Sequence, residues 1–181
     1  NKVNFYDGKV RIVGPDGSLH GMYAANDYTD WIAERVEPWS YLKFPYLKKV
    51  GWKGFVDGKD SGVYKATPLS RLKVSDGMAT PLAQAEYERF YETLTGDRSG
   101  RTPVHATLAT HWARVVELMF ACEAVLAQAK DEEITSDKIF EQPTGIVGEG
   151  VGIVEAPRGT LTHHYKTDKN GIITEANLIV G

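Results

Sequence analysis

Five consecutive residues, Glu155-Ala156-Pro157-Arg158-Gly159, combine a carboxylate, a fixed-φ residue, a permanent cation and a glycine. Proline and glycine on either side restrict the backbone around Arg158. A guanidinium keeps its proton under all ordinary conditions and offers five N–H donors in a fixed fork. Such a group can serve an electron-rich or anionic ligand held over the turn. It can equally pin the base of a hairpin by pairing with a carboxylate. Glu155 reads as an ion-pair or hydrogen-bond partner rather than a proton donor. Directly downstream, His163-His164 stand side by side, but neighbours on a strand point to opposite faces, so they cannot chelate one ion.

Other reactive residue types are sparse. Cys122 is the single cysteine, and no CxxC pair exists. It is expected within an apolar helical stripe, as a small hydrophobe. His105 and His111 lie six apart, which separates them on a helix, and His20 falls among turns; all three read as structural. Gly148-Glu149-Gly150-Val151-Gly152 lacks the GxGxxG spacing and the following helix of a dinucleotide loop. The net charge of -3 gives no electrostatic case for nucleic acid or an anionic membrane. No apolar run reaches the length of a membrane span. The 181 residues, 42% hydrophobic and 25% charged, suit one ordinary globular domain.

The elements that must position these residues can be read in outline. Asp7-Gly8 and Pro15-Asp16-Gly17 punctuate short strands across residues 4–19. Asn26 or Asp27 is expected to cap a short helix with Tyr28, Trp31, Ile32 and Arg35 near one face, ending before Pro38. Residues 39–74 read as irregular extended structure with short strands and an exposed tip at 56–62. Thr80-Pro81 predicts a helix to about Leu94, with Tyr87, Phe90, Tyr91 and Leu94 inward. Thr102-Pro103 predicts a second, long helix over about 103–129, whose stripe is Val104, Leu108, Trp112, Val115, Met119, Cys122 and Leu126. A polar connector at 131–142 and a glycine-rich stretch at 143–152 lead to a final hairpin with its tip at Asp168-Lys169-Asn170-Gly171. The expected fold class is α+β, with short antiparallel strands and hairpins at both ends and two or more helices between.

The EAPRG turn with its histidine-containing hairpin resembles the late part of the large, catalytic subunit of soluble cytoplasmic nickel–iron hydrogenases. Trp39-Ser40-Tyr41-Leu42-Lys43-Phe44-Pro45-Tyr46, Gly62-Val63-Tyr64-Lys65-Ala66-Thr67-Pro68-Leu69-Ser70-Arg71-Leu72 and Trp112-Ala113-Arg114-Val115-Val116-Glu117-Leu118 are similar to segments of the nicotinamide-, deazaflavin- or viologen-reducing branch. The resemblance implies reversible oxidation of hydrogen to protons and electrons in the parent enzyme. It implies that Arg158 faces the nickel–iron cluster as catalytic support, with Ala156, Pro157 and Leu161 as cofactor-binding wall. It also implies an iron–sulfur small subunit, electron-acceptor subunits and a cytoplasmic location. The family's metal-binding cysteines come as two CxxC pairs, absent here, and a glycine commonly precedes the proline of the Thr67-Pro68-Leu69 stretch. Residues 1–181 are therefore read as one excised segment of a larger subunit. Alone it is expected to be inactive, free of metal, and prone to self-associate through exposed apolar surface. A cysteine-less subunit with a quinone cavity, of the respiratory complex I type, and a non-catalytic scaffold of the same fold remain alternative readings.

Overall fold

The computed structural model describes residues 2, 3, 5 and 8–180. The part of the opening-strand expectation that falls on Asn4, Tyr6 and Asp7 lies outside them, as do the end residues Asn1 and Gly181. The architecture is α+β, with three small antiparallel sheets around a group of helices. Strands β1 (Val10–Val13) and β2 (Leu19–Tyr23) pair antiparallel across the Pro15-Asp16-Gly17 turn. Gly17 supplies a φ of +83° there, and its N–H donates to the Gly14 carbonyl at 2.9 Å.

The expected helix over 26–35 is only partly formed. A short 3-10 turn (Ala25–Asp27) and a single helical turn α1 (Tyr28–Trp31) give way to strand β3 (Ile32–Val36), which pairs with β4 (Lys43–Leu47). The β-branched Ile32 and Val36 at the ends of this run suit a strand, and pairing with β4 decides the outcome. Gly21 in β2 is where the ring of Trp31 comes closest. A Cβ there would stand 2.2 Å from the ring, so glycine is required by close approach.

Within 39–74 the expectation of irregular and extended structure misses a helix, α2 (Pro68–Val74), started by Thr67-Pro68. Helix α3 (Pro81–Thr95) starts at Pro81 as expected and ends on Gly96 in the left-handed conformation, φ +75°. Helix α4 (Ala109–Gln128) is long, but it does not start at Thr102-Pro103. Residues 102–105 instead dock against neighbours: Val104 packs on the helical core, and His105 Nε2 lies 2.8 Å from the Pro15 carbonyl oxygen. His105 is therefore outside the helix that was expected to carry it.

The inward face of α4 also differs from the expected stripe. Ala109, Ala113, Val116 and Glu117 are buried, with Trp112 and Phe120 partly so. Leu108, Val115, Leu118, Met119, Cys122, Val125 and Leu126 are exposed. At about 100° per residue these two faces lie roughly 150° apart round the helix. Small Ala109 and Ala113 admit the large rings of Tyr87, Phe90 and Tyr91 from α3, so the tight contact goes to the face with the smaller side chains. Leu94, expected inward on α3, is 41% exposed.

After a 3-10 turn (Glu132–Thr135), the chain ends in a three-stranded sheet in the order β5 (Glu149–Glu155), β6 (Thr160–Thr167), β7 (Ile173–Ile179). The Asp168–Gly171 tip closes β6 onto β7. Tyr23, Tyr28, Ile32 and Ile179 form a second core where the three sheets meet.

Candidate functional site

The β5–β6 turn carries Arg158. Ala156 N–H donates to the Gly159 carbonyl at 2.9 Å, and Gly159 N–H returns a bond to the Ala156 carbonyl at 3.2 Å. Two-residue hairpins usually take turns that need positive φ. Pro157 cannot adopt positive φ and Arg158 does not, so this turn is held from outside.

Two guanidinium groups hold it. Arg71, on α2, donates through Nη1 to the Ala156 carbonyl at 2.8 Å and through Nη2 to the Pro157 carbonyl at 3.4 Å. Arg114, on α4, donates to the same Pro157 carbonyl at 2.6 Å. Arg71 is also gripped by Glu117 of α4 in a bidentate pair, Nε–Oε1 2.6 Å and Nη2–Oε2 2.8 Å. Its Nη1 reaches Glu155 Oε2 at 2.8 Å. The five donors of one guanidinium are thereby spent on two carboxylates and two turn carbonyls. The Phe5 ring lies under the same cation, 5.4 Å from Cζ to centroid.

Side-chain exposure falls to 6% for Arg71 and 9% for Glu117, against 25% for Glu155. Burial alone would lower the Arg71 pKa, but hydrogen bonds and charge from Glu117 and Glu155 outweigh it, and the net shift is upward. Removing Arg71 would strand a buried carboxylate, the costly way to break such a pair. Glu155 is thus an ion-pair partner, as its sequence context suggested, and its second oxygen accepts from Thr160 Oγ1 at 2.7 Å.

Arg158 itself is exposed, and it makes no ion pair or hydrogen bond among the described residues. The local alternative, an arginine pinning the hairpin base to a carboxylate, is realised in this fold by Arg71 instead. Pro157 is exposed beside Arg158, Ala156 and Leu161 are half-buried, and Gly159 is buried. A cleft of about 1410 Å³ opens between the β1–β2 hairpin, the 56–65 loop and α2. Arg71, Glu155 and Thr160 line it, and Arg158 does not.

The two histidines diverge as strand geometry requires. His163 Nδ1 lies 2.7 Å from Tyr165 Oη, two residues along the same face. On the other face, His164 bridges Tyr28 Oη (2.9 Å) and Glu149 Oε1 (2.8 Å), and Asn177 continues the chain from Tyr28 to Glu34. This polar network ties β3, β6 and β7 together.

Among the described residues, no three His, Cys, Asp or Glu side chains converge to hold a metal ion. Tested as a ligand set for a nickel–iron cluster, they do not fit, since Cys122 stands exposed on α4 without a second thiol. Tested as the flank of an electron-rich group, the turn does fit: it offers an exposed guanidinium with uncommitted donors on a backbone fixed from behind. No helix among the described residues is long and apolar enough to cross a membrane.

Comparison with known proteins agrees with the motif reading. No family model matches the chain. An iron-sulfur subunit of the F420-non-reducing hydrogenase of Archaeoglobus profundus is 50% identical over 179 residues, 99% of this chain and 36% of that protein. The NAD-reducing hydrogenase HoxS subunit beta of Cupriavidus necator is 41% identical over 182 residues, 99% of this chain and 35% of the relative. A solved structure of an NAD+-reducing nickel–iron hydrogenase in the H2-reduced state superimposes with a TM-score of 0.82 at 34% identity. It matches 99% of this chain and 37% of its own. The chain thus spans about a third of the length of the curated relatives it matches.

Proposed function

The chain belongs to the family of nickel–iron hydrogenase large subunits, and from that premise we propose that it forms part of the wall around a nickel–iron cluster in a longer catalytic subunit. The observation that carries this reading is the exposed Arg158, unpaired among the described residues, on a turn clamped by Arg71 and Arg114. When bound, the cluster supplies the splitting and re-formation of hydrogen; its thiolate ligands would come from parts of the protein beyond these residues. Arg158 would donate to the diatomic ligands of the iron and add fixed positive charge beside the open position. Ala156 and Pro157 would set how closely the backbone approaches, and Leu161 would supply apolar wall.

The same premise supports an iron–sulfur small subunit and electron-acceptor subunits as partners, and a cytoplasmic location. The exposed apolar face of α4 would pack against the rest of the full-length protein, and the chain alone would self-associate through it. The relatives named above are hydrogenases, which leaves the quinone-cavity and scaffold alternatives without a supporting observation.

The test uses the full-length subunit in its complex, comparing wild type with Arg158→Lys and Arg158→Gln. Hydrogen-dependent reduction of a viologen dye is expected to fall by about 10²–10³-fold, the cost typical of losing a preorganised donor. Nickel content should stay unchanged, and the infrared bands of the iron-bound diatomic ligands should shift. Wild-type turnover with unshifted bands in both variants would remove Arg158 from the cluster's surroundings.

A further inference from the structure

Glu155 stands three residues before Arg158 on the strand entering the turn, and both side chains are long. Long side chains of opposite charge three residues apart at an exposed turn can pair weakly, and such a pair would cancel the charge that the turn presents. Here Glu155 is already committed through both oxygens, to Arg71 Nη1 at 2.8 Å and to Thr160 Oγ1 at 2.7 Å. Both oxygens of Glu117 are likewise spent on Arg71. Arg71 and Arg114 carry two positive charges against the two negative charges of Glu117 and Glu155. The cluster behind the turn is therefore neutral without Arg158, which remains exposed and unpaired among the described residues.

We propose that Arg71 is a positioning residue that keeps Arg158 available: it holds the turn by the Ala156 and Pro157 carbonyls, and it sequesters the one carboxylate that would otherwise neutralise Arg158. What Arg158 is kept available for rests on the reading above, an electron-rich cluster beside the turn. The sequestration does not depend on that reading and can be tested without metal.

A lysine at position 71 could not replace the arginine. An ammonium has three donors and no planar fork, whereas four acceptor groups, the two carboxylates and the two carbonyls, converge on Arg71.

The experiment follows modification of arginines by phenylglyoxal in the metal-free full-length subunit, read at Arg158 by mass spectrometry. Buried Arg71, with 6% side-chain exposure, serves as the slow internal control. In Arg71→Met, Glu155 loses its cation and turns to Arg158. Modification of Arg158 should then slow by roughly two- to fivefold, the occupancy an exposed ion pair provides. Adding Glu155→Gln to Arg71→Met should restore the wild-type rate. Glu155→Gln alone should leave it unchanged, because in the wild type that carboxylate is occupied.

A purely structural Arg71 gives the opposite sign: a loosened turn leaves Arg158 as reactive as before or more so, and that result overturns the proposal. Should Arg71→Met fail to fold, Arg71→Gln, which likewise removes the cation, carries the test, with slowing that Glu155→Gln again reverses; no slowing in the glutamine variant also overturns it. Failure of the cluster reading looks different. Arg158 variants would then leave turnover and infrared bands untouched while the phenylglyoxal pattern stands.

Discussion

The helical core and the sheet core of this chain are built in opposite ways. Leu72, Met78, Ala83, Phe90, Tyr91, Ala113 and Val116 are fully buried among α2, α3 and α4. Large rings from α3 press onto alanines of α4, and Val3, Leu69 and Val104 pack against the same cluster. Tyr23, Tyr28, Ile32 and Ile179 keep 4–8% exposure and lean on partly buried residues from all three sheets. Polar geometry does there what apolar packing does in the helices, through the bonds of His164, Tyr28, Asn177 and Glu34. Arg71 sits on the seam. Its backbone belongs to the helical side, and its donors end on a turn of the sheet side. The hairpin that presents Arg158 therefore draws its rigidity from the better-packed half of the molecule.

The sharpest way to test that contrast is to make the same kind of truncation in each core. Leu72→Ala is expected to lose about 4 kcal/mol, because a closed helical core cannot collapse into the gap. Ile32→Ala is expected to lose about 2 kcal/mol, near the low end for such changes. Urea unfolding measures both, and equal losses would break the comparison.

A smaller effect should appear in alkali. Burial pushes the phenols of Tyr87, in the helical core, and Tyr64, against the sheet core, up to about 12; the negative charge of Glu34 adds to the shift of Tyr64. The unfolded chain loses these protons near 10, so the folded state holds protons that the unfolded state has released. Stability should be undiminished below about pH 10 and decline as pH rises toward about 12. Tyr87→Phe and Tyr64→Phe should each flatten that decline, and absorbance titration of the tyrosinates should show neither group ionising near 10.

The smallest effect concerns the α3–α4 contact. Glu123 of α4 accepts from Thr80 Oγ1 (2.6 Å) and from the backbone N–H of Leu82 (3.0 Å) and Ala83 (2.9 Å), capping α3 from a neighbouring helix. Slight burial opposes these bonds, but together they hold its carboxyl below the ordinary glutamate value. A depressed folded pKa means the contribution is complete above the unfolded value near 4.3 and is lost as pH falls through the folded one. The difference in unfolding midpoint between wild type and Glu123→Gln should hold constant above about pH 5 and shrink in acid. A difference that ignores pH would show that the charge of the Glu123 carboxylate adds nothing to the cap.

The dipeptide Thr-Pro occurs three times and shows how far local signals reach. At Thr80-Pro81 it starts α3 as expected. At Thr67-Pro68 it starts α2, which the surrounding aromatic and glycine-rich text obscured, and Arg71 was missed with it. At Thr102-Pro103 it starts nothing, because Val104 and His105 find partners outside any helix. Neither helical threonine makes the side-chain bond to its own helix that defines a cap. Proline at the first position permits a helix; whether one forms depends on where the next residues can pack. The stripe on α4 misled for a related reason. Periodicity marked the stripe of larger side chains, whereas tight helix contact selected the face that carries Ala109 and Ala113. Glu155 and the divergence of His163 from His164 were legible because both follow from strand alternation and the turn next door.

The sequence by itself determined the α+β class, the start of α3, the closing hairpin with its Asp168–Gly171 tip and the EAPRG turn that marks the family. These depend on residues within a few positions of one another, where φ restriction and alternation act directly. Only the tertiary structure decided that Ile32–Val36 is a strand, that the inner face of α4 is its small-residue face, and that Arg71 rather than Arg158 takes the carboxylates. Arg71 meets Glu117 and Glu155 across 46 and 84 residues. No local propensity records such pairings, since a guanidinium pairs with whichever carboxylates the packed helices and sheet bring within reach.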